Sequence, residues 1–275
     1  MSAAPVLRSF DPALIGAVLG LIRRRRRSGA ELFVLGLCGA QGSGKSTLAR
    51  TIVAALEAQG VPAATLSLDD IYLTRAEREN LARTVHPLLV TRGVPGTHDI
   101  GLGLAVLDAL GLGDPAALPR FAKGSDDRTP PGEWPLAPAG CRVLVFEGWC
   151  VGARPQAPAA LDDPVNLLEQ AQDPDGRWRR YANDCLAGGY QALFTRIDAQ
   201  VMLAAPSFDV VARWRLQQEA DLPPGAARMD TGAIARFVQF YERLTRHVLS
   251  EMPSRADLVA RLDENRNILQ IVSNV

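Results

Sequence analysis

The segment Gly39-Ala40-Gln41-Gly42-Ser43-Gly44-Lys45-Ser46 fits GxxxxGKS in full, and no other feature of the 275-residue chain restricts its fold so tightly. An apolar run of strand length, Leu32 to Cys38, precedes it, and a helical stretch from about Lys45 to Gln59 follows. A glycine-rich loop in that setting curls so that backbone N–H groups converge on phosphate oxygens, and the helix dipole adds positive potential. Lys45 of such a loop reaches the β- and γ-phosphates, and the Ser46 hydroxyl ligates Mg²⁺. Gly39 to Thr47 is therefore the expected ATP-binding segment.

The rest of the chain alternates in the way a doubly wound parallel sheet requires. Buried strands are predicted over 61–68, 142–146, 200–204 and, more weakly, 257–262. Helices are predicted over 12–27, 101–111, 177–196, 207–220 and 230–252. Residues 1–10 read as a loose tail, and 112–140, rich in proline, as an ordered loop carrying residues over the sheet edge. No linker or internal repeat interrupts the pattern, so one domain spanning 1–275 is expected.

Charge and cysteine usage exclude several classes. The 30 basic and 30 acidic residues cancel, which gives no support to a nucleic-acid binder. The run Arg23 to Arg27 ends a predicted amphipathic helix, where cations suit the dipole, and reads as a solvated helix end. No apolar run reaches the ~18 residues of a membrane span. Cys38, Cys141, Cys150 and Cys185 are scattered without metal spacing and read as free thiols in a reducing cytoplasm. Only two of the basic residues are lysines, Lys45 and Lys123. A chain so partial to arginine keeps lysine where a compact ammonium is needed, as at a phosphate.

Two acidic sites complete the pattern. The second strand ends in Leu68-Asp69-Asp70-Ile71-Tyr72, and strand C-terminal ends face the ligand crevice of such a sheet. An alcohol attacking phosphorus needs a proton acceptor, and Asp69 there can serve; an Asp-rich turn capping the next helix is the other reading. The third strand runs into Phe146-Glu147-Gly148-Trp149, and Glu147 has the place of a Walker-B carboxylate that holds Mg²⁺ directly or through water. Asp108 to Gly111 and Asp173 to Gly176 both fit DxxG, but no NKxD occurs, so a GTPase is not indicated. The loop by itself also fits a regulatory or assembly NTPase that switches partner binding.

Taken together, these residues resemble the D-glycerate 3-kinase family, grouped with uridine kinase, phosphoribulokinase and pantothenate kinase. The resemblance runs from about residue 30 to 268. It rests on Ser67 to Leu73, Arg92-Gly93-Val94-Pro95-Gly96-Thr97-His98-Asp99, Phe146 to Trp149, Trp214 to Glu219 and Phe237 to His247. It implies a nucleotide- or small-molecule-kinase type of P-loop NTPase with an inserted acceptor region and a lid at 207–232, using ATP and Mg²⁺ on a glycerate-like acid. It further implies Asp69 as base beside Lys45, and an acceptor pocket bordered by Asp70, Tyr72, Arg92, His98, Asp99, Lys123 and Arg128. Arg213 or Arg215 of the lid would meet ATP. The sequence departs from the family pattern at Ala122, where an aspartate is expected before Lys123, which removes one carboxylate from that pocket.

Overall fold

The computed structural model describes residues 11–26, 31–220 and 229–275. The tail 1–10, Arg27 of the basic run and 221–228 of the expected lid lie outside the described residues. Helix α1, Pro12–Arg25, starts at Asp11, whose carboxylate accepts from the Ala13 amide, and ends in Arg23 to Arg25. Arg25 pairs with Asp257 at 2.6 Å, which anchors the basic end of the helix against the body of the protein.

Strand β1, Phe33–Gly39, runs into the glycine loop and then α2, Lys45–Glu57. Strand β2, Ala63–Ser67, is shorter than the predicted 61–68, because the chain leaves at Leu68 into a 3₁₀ turn over Leu68–Ile71. Helix α3, Arg75–Thr84, has no counterpart in the sequence reading; its one buried residue is Arg78, so it carries no apolar stripe. Helix α4 is Ile100–Leu112, and the irregular segment after it holds a two-stranded hairpin, β3 Phe121–Ala122 and β4 Asp127–Arg128. Strand β5 is Val143–Gly148, followed by α5, Leu167–Gln172.

The helix expected over 177–196 is two, α6 Arg177–Ala187 and α7 Gly189–Phe194. Gly188 between them lies at φ −94°, ψ −111°, and a glycine pair is the weakest place in a helical run. After β6, Ala199–Ala204, come α8, Asp209–Ala220, and α9, Thr231–Glu251, then β7, Leu258–Leu262, and β8, Ile268–Ser273.

The sheet order is β2-β5-β1-β6-β7-β8. Its first five strands are parallel; β8, unforeseen, pairs antiparallel with β7, so the sheet is mostly rather than wholly parallel. One face packs α1, α2 and part of α8 through Leu14, Leu48, Ile52 and Trp214. The other packs α4, α6, α7 and α9 through Leu107, Leu186, Leu193 and Phe240. The register places Cys38 beside Gly148, Ser67 beside Glu147 and Gly39 beside Leu203, so the loops that follow these strands open at one end of the sheet. All four cysteines are free thiols.

Candidate active site

The glycine loop is shaped by its own residues and by what packs on it. Gly42 sits at φ +79°, and a Cβ there would stand 2.6 Å from the Trp214 Cβ, so both conformation and space demand glycine. Trp214 is fully buried, and its indole donates to the Glu264 carbonyl at 2.7 Å. Arg266 from the β7–β8 turn lies over the Trp214 ring and donates to the Gly42 carbonyl at 2.5 Å. Ala40 packs into a small cluster with Phe208, Val211 and Val238 of the α8–α9 region. Ser43 Oγ and Gln41 Oε1 are buried polar atoms without a hydrogen-bond partner. Gly44 ends the loop at φ +94°, and Lys45, Ser46 and Thr47 form the first turn of α2.

Ser46 Oγ donates to Glu147 Oε1 at 2.7 Å, across from the end of β5, while Glu147 Oε2 is buried without a partner. Hard oxygen donors beside a phosphate-binding loop fit Mg²⁺, which takes one or two protein oxygens and completes its shell with phosphates and waters. No larger cluster of His, Cys, Asp or Glu able to hold a metal exists among the described residues.

Asp69 stands in the turn after β2. Ser67 Oγ accepts from its amide at 3.3 Å, which starts the 3₁₀ turn. Its Oδ1 accepts from the Tyr72 hydroxyl at 3.0 Å and its Oδ2 from Lys123 Nζ at 2.9 Å. Burial pushes this carboxyl up, but the Lys123 and Lys45 ammoniums outweigh burial and hold it well below the usual carboxylate range. The two lysines of the chain thus act on one aspartate, although 78 positions of sequence separate them. Asp70 behaves oppositely. Burial raises it to about 6 against the pull of Arg120, which lies 3.4 Å away, and of the Phe121 amide at 3.3 Å.

The hairpin that carries Lys123 is tied down by arginines. Asp126 takes Arg92 and the buried Arg78, while both guanidiniums lie over the Phe121 ring. Arg128 donates to the Tyr72 carbonyl at 2.9 and 3.2 Å and pairs with Asp99 at 3.2 Å. Asp99 is also the N-cap of α4, accepting from the Leu102 amide. Arg128 and Asp99 are thus spoken for by protein partners. In the Arg92 to Asp99 loop, Gly93 at φ +142° has the Tyr241 hydroxyl where a Cβ would project. His98 is buried and stacked on Tyr72 at 4.4 Å, with Nδ1 2.5 Å from the Tyr190 hydroxyl. Burial lowers it to about 3, so it is a neutral ring that packs behind Tyr72.

Lys45, Asp69, Asp70, Tyr72, Lys123, His98 and Glu147 form one continuous electrostatic neighbourhood. The two arginines of α8 diverge. Arg213 is half exposed and pairs with Glu264 at 2.9 Å, whereas Arg215 lies over the Phe237 ring of α9 and acts on Tyr241. Arg78, Tyr190, Tyr241 and Arg266 were not singled out from sequence. Tyr241 and Trp214 fall in segments that carry the family resemblance, while Arg78 and Arg266 give no signal beyond being arginines. The DxxG match at Asp173 is structural: its carboxylate accepts from the Trp178 amide and pairs with Arg179, starting α6.

Comparison with known proteins bears on the family and the fold. The model of the Phosphoribulokinase / Uridine kinase family matches residues 34–153. An uncharacterized kinase of Schizosaccharomyces pombe, mug58, is 32% identical over 273 residues, covering 92% of this chain and 96% of that protein. The chloroplastic D-glycerate 3-kinase of Arabidopsis thaliana is 32% identical over 85% of this chain, which spans 53% of that relative's length. Among solved structures, D-glycerate 3-kinase from Cryptococcus neoformans superposes with a TM-score of 0.76 at 26% identity, covering 95% of this chain and 98% of that one. The chain belongs to the phosphoribulokinase/uridine kinase family and is an ATP-dependent kinase of the P-loop fold.

Proposed function

We propose that the chain transfers the γ-phosphoryl group of ATP to a hydroxyl of a small carboxylic acid, with D-glycerate the leading acceptor. One observation carries the reading: an aspartate held in its charged form, Asp69, stands beyond the end of β2, one strand removed from the strand that feeds the glycine loop, with the Lys123 ammonium on its carboxylate and Lys45 acting on it. Lys45 and the loop amides hold the triphosphate, and Asp69 orients the acceptor hydroxyl and takes its proton. Ser46 and Glu147 would hold Mg²⁺, which supplies charge neutralisation for the phosphates. The acid's carboxylate needs a cation. Lys123 is the one best placed, because Arg128, Arg120 and Arg92 already face Asp99, Asp70 and Asp126. The names of two relatives, both D-glycerate 3-kinases, support this acceptor class.

No described helix is long and apolar enough to cross a membrane, and the enzyme is read as acting on a free metabolite. ADP release measured over a panel of D-glycerate, L-glycerate, pantothenate, uridine and glycerol tests the proposal. Formation of ADP and a phosphorylated acid with D-glycerate is expected. Acceptor-independent hydrolysis alone, with a protein that binds a partner only in ATP, would replace this reading by a nucleotide switch.

A further inference from the structure

We propose that Lys123 is a lock on Asp69 which the acceptor's own carboxylate opens. The inference rests on the acid-kinase reading above and adds how the acid is told from a neutral alcohol. Both oxygens of Asp69 are engaged within the protein, one by the Tyr72 hydroxyl and one by the Lys123 ammonium. A carboxylate paired in this way is a weak proton acceptor, since an adjacent cation stabilises its charged form.

Among the cations that border the expected acceptor pocket, Lys123 has the fewest contacts holding its charge in place. It is 65% exposed and has Asp69, itself 28% exposed, as its ion-pair partner. Every other acidic group of its hairpin is committed. Asp126 holds Arg78 and Arg92, and Asp127 accepts from the amides of Arg75 and Arg128. Ala122 supplies no carboxylate next door. The neighbouring arginines, by contrast, are fixed by two or more contacts each: Arg92 by Asp126 and the Phe121 ring, Arg120 by Asp70 and the Pro119 carbonyl, Arg128 by Asp99 and the Tyr72 carbonyl. An ammonium with a single ion-pair partner can pass from that carboxylate to another, because the incoming carboxylate replaces the charge that the ammonium gives up.

An incoming acid draws Lys123 onto its carboxylate and leaves Asp69 with Tyr72 alone. The acceptor O–H proton then passes to the freed Asp69 as its oxygen bonds to the γ-phosphorus. The bond from that phosphorus to the bridging oxygen breaks, and ADP departs with the electron pair. Without an acid the base stays neutralised, so water is a poor acceptor and ATP is spared.

Lys123→Met tests this, with D-glycerate, glycerol and no acceptor as three arms. The expected result is a fall of about 10–100-fold in kcat/KM for the acid, the loss of one charge-assisted contact. Turnover with glycerol and background hydrolysis rise together by about tenfold, the equivalent of one pKa unit at the base. The acidic limb of the hydrolysis profile moves to higher pH, since Asp69 loses the cation that held it down. Lys123→Arg restores the preference for acid. The lock is overturned if the methionine variant loses acid and glycerol turnover in equal proportion with hydrolysis and its pH limb unmoved. A wild-type enzyme that phosphorylates glycerol and ignores every acid on the panel removes the acid reading and the lock with it. A wild-type enzyme that prefers acid while the variant keeps the same acid-to-glycerol ratio removes only the lock.

Discussion

Two clusters of ion pairs in this molecule use the same residue types to opposite ends. Around α5, α6 and α9, Asp173 with Arg179 and Glu169 with Arg243 are out of solvent, and their guanidiniums also bond main-chain oxygens of Leu161, Asp162, Ala160 and Asp163. Every guanidinium nitrogen there has an acceptor, so the cluster pins the segment before α5 to two helices. In the cleft, Asp69, Asp70, Lys123 and Arg120 are 22 to 65% exposed and each pair is held by few contacts. Buried pairs that lose one partner leave a stranded charge; exposed ones do not. The first cluster belongs to stability and the second to chemistry.

The largest test of that division is Asp69→Asn, which should lower acceptor-dependent turnover roughly 10²–10⁴-fold, the usual worth of a general base. ATP affinity by fluorescence titration should stay within a few-fold, and the urea midpoint should shift less than it does in a buried-cluster variant. An unfolding midpoint displaced as far as that of a buried-cluster variant would merge the two clusters. Arg243→Met is the counterpart. It strands Glu169 and should reduce the unfolding free energy by about 3–5 kcal/mol in urea titration, with KM for ATP unchanged in the folded fraction.

A smaller effect is expected at Glu147→Gln, which should raise the Mg²⁺ concentration for half-maximal rate about 10–100-fold while leaving the melting temperature close to that of the parent. The smallest concerns Asp70. Its folded-state carboxyl is raised to about 6 from an ordinary 3.8, so it favours the folded state at low pH, and that contribution is lost as pH rises through about 6. The stability of the parent relative to Asp70→Asn should therefore decline between pH 4 and pH 7, measured by urea midpoints across that range; a rise would reverse the assigned direction.

What could be read from the sequence follows what local chemistry fixes. The glycine loop, the strand before it and the helix after it are contiguous, so one motif placed them all. Glu147 and Asp69 were legible because each ends an apolar run that had to be a buried strand. The pairing of Lys123 with Asp69 was not, since 54 residues and an irregular hairpin of four strand residues bring them together. Helix α3 escaped because its buried face is an arginine rather than an apolar row. The stop at Gly188 hid inside an otherwise continuous amphipathic pattern, and β8 hid behind a polar turn with a weak alternation of its own. Asp99 and Arg128 were both expected at the acceptor pocket; that they pair with each other was not legible.

The scarcity of lysine has a practical side. Reagents that modify primary amines find only two side-chain targets in this chain: one is paired with Asp69, and the other acts on the same carboxylate from the phosphate loop. One of them is well exposed and the other lies in the phosphate loop, so a single acylation or carbamylation event would report directly on the cleft, and bound nucleotide would protect one amine but not the other. A property of bulk composition thereby turns the active site into the natural address for covalent labelling.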